Sequence, residues 1–146
     1  MAAKMGIDGK LYFCSAGIGG TPVWTEIKNV QNLNTAASHS KHDVTTRGNG
    51  GFRAQAAILK EIGLEFDMIH DPSDTGYTTL RDAFAAKSVI GIAVMNGDIT
   101  VAGTEGIWFD AQVMKWERNE DYDKPMMMKV GLEPTYSANP PVLKTI

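Results

Sequence analysis

The sequence has a single cysteine, Cys14, so no intramolecular disulfide can form and nothing in it requires an oxidising compartment. It also lacks an excess of positive charge: 14 Lys and Arg against 17 Asp and Glu give a formal net charge of −3 and a pI near 5.5. Tight nucleic-acid binding depends on cations that displace the counterions around phosphates, so this balance excludes a tight binder while allowing DNA to pass without sticking. Long apolar runs are missing too. No window approaches the roughly 20 residues of a membrane span, and the opening "MAAKMGIDGKLYFCSAGIGG" holds no stretch of signal-peptide length. The expectation is a soluble chain made in the cytoplasm, with no membrane insertion. No internal repeat or low-complexity block divides it.

The chain does have enough apolar surface to offset its conformational entropy, with 43% hydrophobic and 21% charged residues over 146 positions. One domain over 1–146 is expected, with a flexible N-terminal segment and a Pro-containing C-terminal arm. Fifteen glycines favour many turns and therefore many short strands.

Runs rich in β-branched and aromatic residues place early strands at "KLYFCS" and "PVWTEIKNV", separated by the turn "AGIGGT". From Ile58 onward, Ile58, Lys60, Ile62, Leu64, Phe66 and Met68 alternate with Leu59, Glu61, Gly63, Glu65 and Asp67. That period of two predicts a long half-buried strand with one apolar and one acidic face. "HDPSDTG" breaks the chain, and Tyr77, Leu80 and Phe84 at spacings of three and four predict a helix, capped by Asp74 or Ser73 and ending near Lys87. "VIGIAVM", Asn96-Gly97 and "DITVAG" read as a tight hairpin. Strands follow at "IWFDAQVMKWER", with two working faces, and at "PMMMKVGLEPTY", whose Met126, Met128, Val130 and Leu132 oppose Met127, Lys129 and Glu133. Two consecutive prolines in "SANPPVLKTI" stop that strand from continuing. Because strands do not alternate with helices, the predicted architecture is a mainly β (α+β) antiparallel sandwich or barrel with one flanking α-helix.

The candidate chemistry is sparse. "RGNGGFR" lacks both the following helix and the lysine of a phosphate-binding loop, so a strand-connecting loop is the simpler reading. Arg47 and Arg53 suit DNA phosphates or acids on a neighbouring subunit equally well. His39 and His42, followed by Asp43, invite a metal or hydrolase reading, but three-residue spacing puts two ligands on opposite sides of a regular strand. Cys14 lies in an alternating run as a structural thiol, and Met126 to Met128 cannot converge on one ion. Glu61 and Glu65 share a strand face without a partnered acid. No catalytic residue, cofactor or metal is expected.

Taken together, "LYFCSAGIGGTPVWTEIKNV", "DVTTRGNGGFRAQ", "LEFDM", "DTGYTTLRDAF", "IGIAVMNG" and "KVGLEPTYSANPP" resemble the major tail tube proteins of long-tailed bacteriophages, in order over nearly the whole chain. The resemblance implies a virion protein, made in the host bacterial cytoplasm, whose copies form six-membered rings stacked into a hollow tube for genome delivery. Its partners would be copies of itself, other tail proteins at the tube ends and double-stranded DNA in non-specific transit. The resemblance places an inter-subunit or inter-ring loop on His39 to Phe52, with His39, His42, Asp43, Arg47, Gly48, Gly50, Gly51, Phe52 and Arg53 as its candidate residues. An acidic channel wall falls on Glu61, Glu65 and Asp67, because acids let DNA slide where lysines would retain it. The competing expectation is a β-sandwich module that decorates a viral particle and binds a ligand.

Overall fold

The computed structural model describes residues 3–146. Its strands are β1 (Lys10–Cys14), β2 (Thr25–Glu26), β3 (Val30–Asp43), β4 (Gln55–Ile69), β5 (Ile90–Met95), β6 (Glu105–Asn119), β7 (Met127–Pro134) and β8 (Val142–Thr145), with one helix, α1 (Thr75–Ala86), between β4 and β5. They form a sheet of order β2-β1-β5-β6-β7-β4-β3, with β8 added on β6. Every pairing is antiparallel. One core cluster contains Leu11 and Phe13 of β1 together with Leu64, Phe66 and Met68 of β4, although these strands stand far apart in the order. The sheet therefore coils around its own apolar face, and β2 and β3 remain its free ends, so it does not close.

The core follows from alternation. Leu64, Phe66 and Met68 on β4, Phe109 and Ala111 on β6, and Met128, Val130 and Leu132 on β7 are each at most 1% exposed. Helix α1 covers this face with Tyr77, Leu80 and Ala83. Asp74 caps it by accepting a hydrogen bond from the Tyr77 amide at 3.0 Å, and Lys87 ends it in the left-handed conformation, φ 57°. Phe84, expected on the buried stripe, is 43% exposed and stacks on Trp116 of β6.

β6 joins the two halves of the sheet and does have two working faces. On its reverse side Trp108 packs with Trp24, Tyr12, Met95 and Ile99, and Asp110 is buried. The Asp110 carboxylate accepts hydrogen bonds from the Ile18 amide and the Ser137 hydroxyl, tying an early loop to the segment before β8. Gly106 sits where a Cβ would lie 2.0 Å from the Val94 carbonyl oxygen, so only glycine permits the β5–β6 pairing there.

Four expectations change. "PVWTEIKNV" contributes only Thr25–Glu26 and, at Val30, the start of β3, because Pro22 has no amide to donate and Asn29 binds the Ile69 carbonyl with its side chain. "DITVAG" is a turn, not a strand: Asp98 accepts from the amide and hydroxyl of Thr100, and the β5–β6 pairing begins at Met95 and Gly106, on either side of it. The C-terminal arm ends in β8, paired with Glu105–Trp108; the prolines precede the strand, where their missing donors cost nothing. The apolar face of β4 is buried only from Leu64 onward, since Ile58 is 58% exposed.

This division of β4 predicts unequal substitutions. In urea denaturation, Phe66→Ala should lower stability by about 3–5 kcal/mol, whereas Ile58→Ala, farther out on the same strand, should change it by less than about 0.5 kcal/mol.

Candidate functional site

β4 pairs with β7 only from Leu64 to Ile69, while β3 follows β4 all the way to Gln55. Residues 36–63 therefore project as a two-stranded arm in which no residue is buried. His39, His42 and Asp43 lie in β3 and not in a loop; the connecting segment is only 44–54. A long alternating run was visible after Ile58 but not before it, because "QNLNTAASHSKHD" is too polar to show a buried face.

A bulge interrupts the pairing between His39 and Lys41, and its extra residue lies on β4, where Ile58 and Leu59 face Ser40 alone. β3 therefore keeps its alternation, and His39 and His42 lie on opposite sides of the arm, as their three-residue spacing predicts. Asp43 falls on the side of His39, and no group of three potential metal ligands occurs among the described residues.

The tip is held by its own hydrogen bonds. Val44 donates its amide to the Ala54 carbonyl at 3.0 Å, the Thr45 hydroxyl accepts from the Ala54 amide at 2.9 Å, and the Asn49 side chain donates to the Phe52 carbonyl at 2.8 Å. Arg47, Gly48 and Asn49 form a 3₁₀ turn. Gly50 and Gly51 take φ of 63° and 84°, which other residues rarely adopt, so these glycines serve the turn itself. Arg47, Phe52 and Arg53 are exposed around it. Asp43 accepts from both the hydroxyl and the amide of Thr45, and these bonds, the hydroxyl first, hold its carboxyl below the usual range.

The second feature is the sheet face opposite the core. Cross-strand rows run Gln31, Asp67, Lys129, Glu117 and Asn34, Glu65, Gly131, Lys115; Glu61 lies beside Ser38, and Glu133 beside Gln112. Glu61, Glu65 and Asp67 do share one face, as the alternation required. Lys115 lies 3.9 Å from Glu65 and 3.5 Å from Glu117, leaving acids in excess over Lys115 and Lys129. Sequence reasoning missed Lys115 and Glu117 because a bulge at Met114 reverses the phase of β6. Lys129 and Glu133 were legible from the alternation of β7.

No family model matches the chain. Over 89 residues, 61% of its length, it is 29% identical to a part of the ferric enterobactin receptor of Pseudomonas aeruginosa, and the match spans 11% of that protein. Three solved structures share its fold. The tail of an empty gene transfer agent particle, of C6 symmetry, superposes with a TM-score of 0.74 at 14% identity over 99% of both chains. The virion of the native gene transfer agent particle gives 0.73 at 13% identity over 99% of both chains. The SPP1 tail tube gives 0.76 at 12% identity, covering 99% of this chain and 80% of the other. The fold of this chain, an antiparallel coiled sheet with one helix, is that of tail tube structures.

The Asp43 turn has a definite pH signature. Its folded value is lowered, so its contribution is fully present above the ordinary carboxylate value of about 4 and is lost as pH falls through the folded value. By NMR, the Thr45 amide shift should titrate with a midpoint below that of a free aspartate, and Asp43→Asn should abolish that titration.

Proposed function

We propose that this chain is a structural subunit of a phage-type tail tube, its copies closing into six-membered rings that stack into a hollow conduit for a DNA genome. The observation that carries this reading is an arm with no buried residue, extending from a body that has the tail tube fold. Such an arm gains burial only from another molecule. Contacts between copies in a ring are heterologous, and repeating a heterologous contact from ring to ring yields a filament. The C6 symmetry of the gene transfer agent tail supports the six-membered ring.

In this reading the arm, with His39, His42, Asp43, Arg47, Gly48, Gly50, Gly51, Phe52 and Arg53, engages a neighbouring subunit. The polar face with Glu61, Glu65 and Asp67 lines the channel. Duplex DNA carries one charge per about 1.7 Å, so a wall with excess carboxylates repels it weakly everywhere and binds it nowhere, which suits transit. The task is mechanical and needs no catalytic group. The subunit is made in the bacterial cytoplasm, acts as one domain in the virion, and meets other tail proteins at the ends of the tube.

Electron microscopy of the purified chain at high concentration should show rings or hollow tubes; a protein that stays monomeric when concentrated and seeded would overturn the proposal. In assembled particles, Glu61→Lys with Glu65→Lys should slow genome release several-fold, more so at low salt. Unchanged release kinetics would place these acids away from the channel.

A further inference from the structure

The charges are distributed unevenly between the two ends of β4. At the Gln55 end the arm carries Lys41, Arg47, Arg53 and Lys60 against Asp43 and Glu61, and the tip arginines make no ion pair among the described residues. At the Ile69 end the sheet finishes in two adjacent turns: Ile69 pairs with Met127, and the His70 amide donates to the Met126 carbonyl at 2.9 Å. The β6–β7 turn there carries Glu120, Asp121 and Asp123 against Arg118 and Lys124. Arg118 is taken up by Glu120 at 2.7 Å, while Asp121 and Asp123 have no ion-pair partner among the described residues. Between them Tyr122 is fully exposed.

We infer that the arm tip of one copy docks on the β6–β7 turn of the next, with Arg47 and Arg53 facing Asp121 and Asp123 across the junction. This rests on the tube-subunit reading and adds to it the receiving surface and the force that selects it. β4 spans its fifteen residues in about 45 Å of extended chain, so unlike charges sit at opposite ends of one rigid element. A second copy displaced along that strand brings opposite charges together, whereas a reversed copy brings like charges together, so the stack acquires a direction. Tyr122 and Phe52, exposed at 106% and 76%, are the side chains that such a junction would bury.

The test is a charge-swap cycle on the full chain. Arg47→Glu with Arg53→Glu, and separately Asp121→Lys with Asp123→Lys, should each raise the concentration needed for tube formation about tenfold, with unchanged far-UV circular dichroism, and the combined variant should recover tubes. Should a reversed variant misfold, raising salt on the wild-type chain reads the same force: the threshold concentration should climb with ionic strength. Indifferent variants, a combined variant that stays defective, or a salt-independent threshold would each overturn the pairing. A wild-type chain that forms no tubes would instead remove the reading beneath it.

Discussion

The structure depends on the burial of three alternate side chains at one end of β4. Leu64, Phe66 and Met68 stand beside Leu132, Val130 and Met128 of β7 in the core cluster that also holds Tyr77, Leu80 and Ala83 of α1, each of the three at most 1% exposed. Full burial of such side chains stabilises by roughly 1.5–3 kcal/mol apiece. That anchorage lets the other half of the strand leave the body, because a β-strand is continuous and carries its direction outward once its end is held. The arm needs no core of its own. Its backbone is satisfied by β3, and its side chains are exposed or half-buried.

Two single-residue insertions redistribute chemistry over this scaffold. The bulge at Met114 moves Lys115 and Glu117 onto the polar face and returns Trp116 to the helix side, where it meets Tyr77 and Phe84. The extra β4 residue opposite Ser40 turns Ile58 away from the side that carries Phe66, while β3 keeps its alternation and leaves His39 and His42 on opposite sides of the arm. In both cases the pleat has period two, so one extra residue transfers everything beyond it to the opposite surface. These bulges set which side chains each surface presents.

No cluster of three metal ligands occurs among the described residues, and Cys14 is buried and free. What varies over the molecule is charge and exposure: a net-acidic sheet face, a basic arm and an acidic turn at the far end. Charge acts at long range and tolerates small displacements.

The sequence by itself determined whatever is local or strictly periodic. The apolar alternation of β4, β6 and β7, the helix with a cap at Ser73 or Asp74, the shared face of Glu61, Glu65 and Asp67, and the inward thiol of Cys14 all follow from side-chain period and capping chemistry. The tertiary structure alone decided how far the burial of β4 reaches, where the bulges fall, that β3 runs through His39 to Asp43, and that the chain beyond Pro141 returns to pair with β6. A bulge or an added strand is stabilised by a hydrogen-bonding partner distant in sequence, and a polar strand such as β3 shows no apolar period from which its partner is readable.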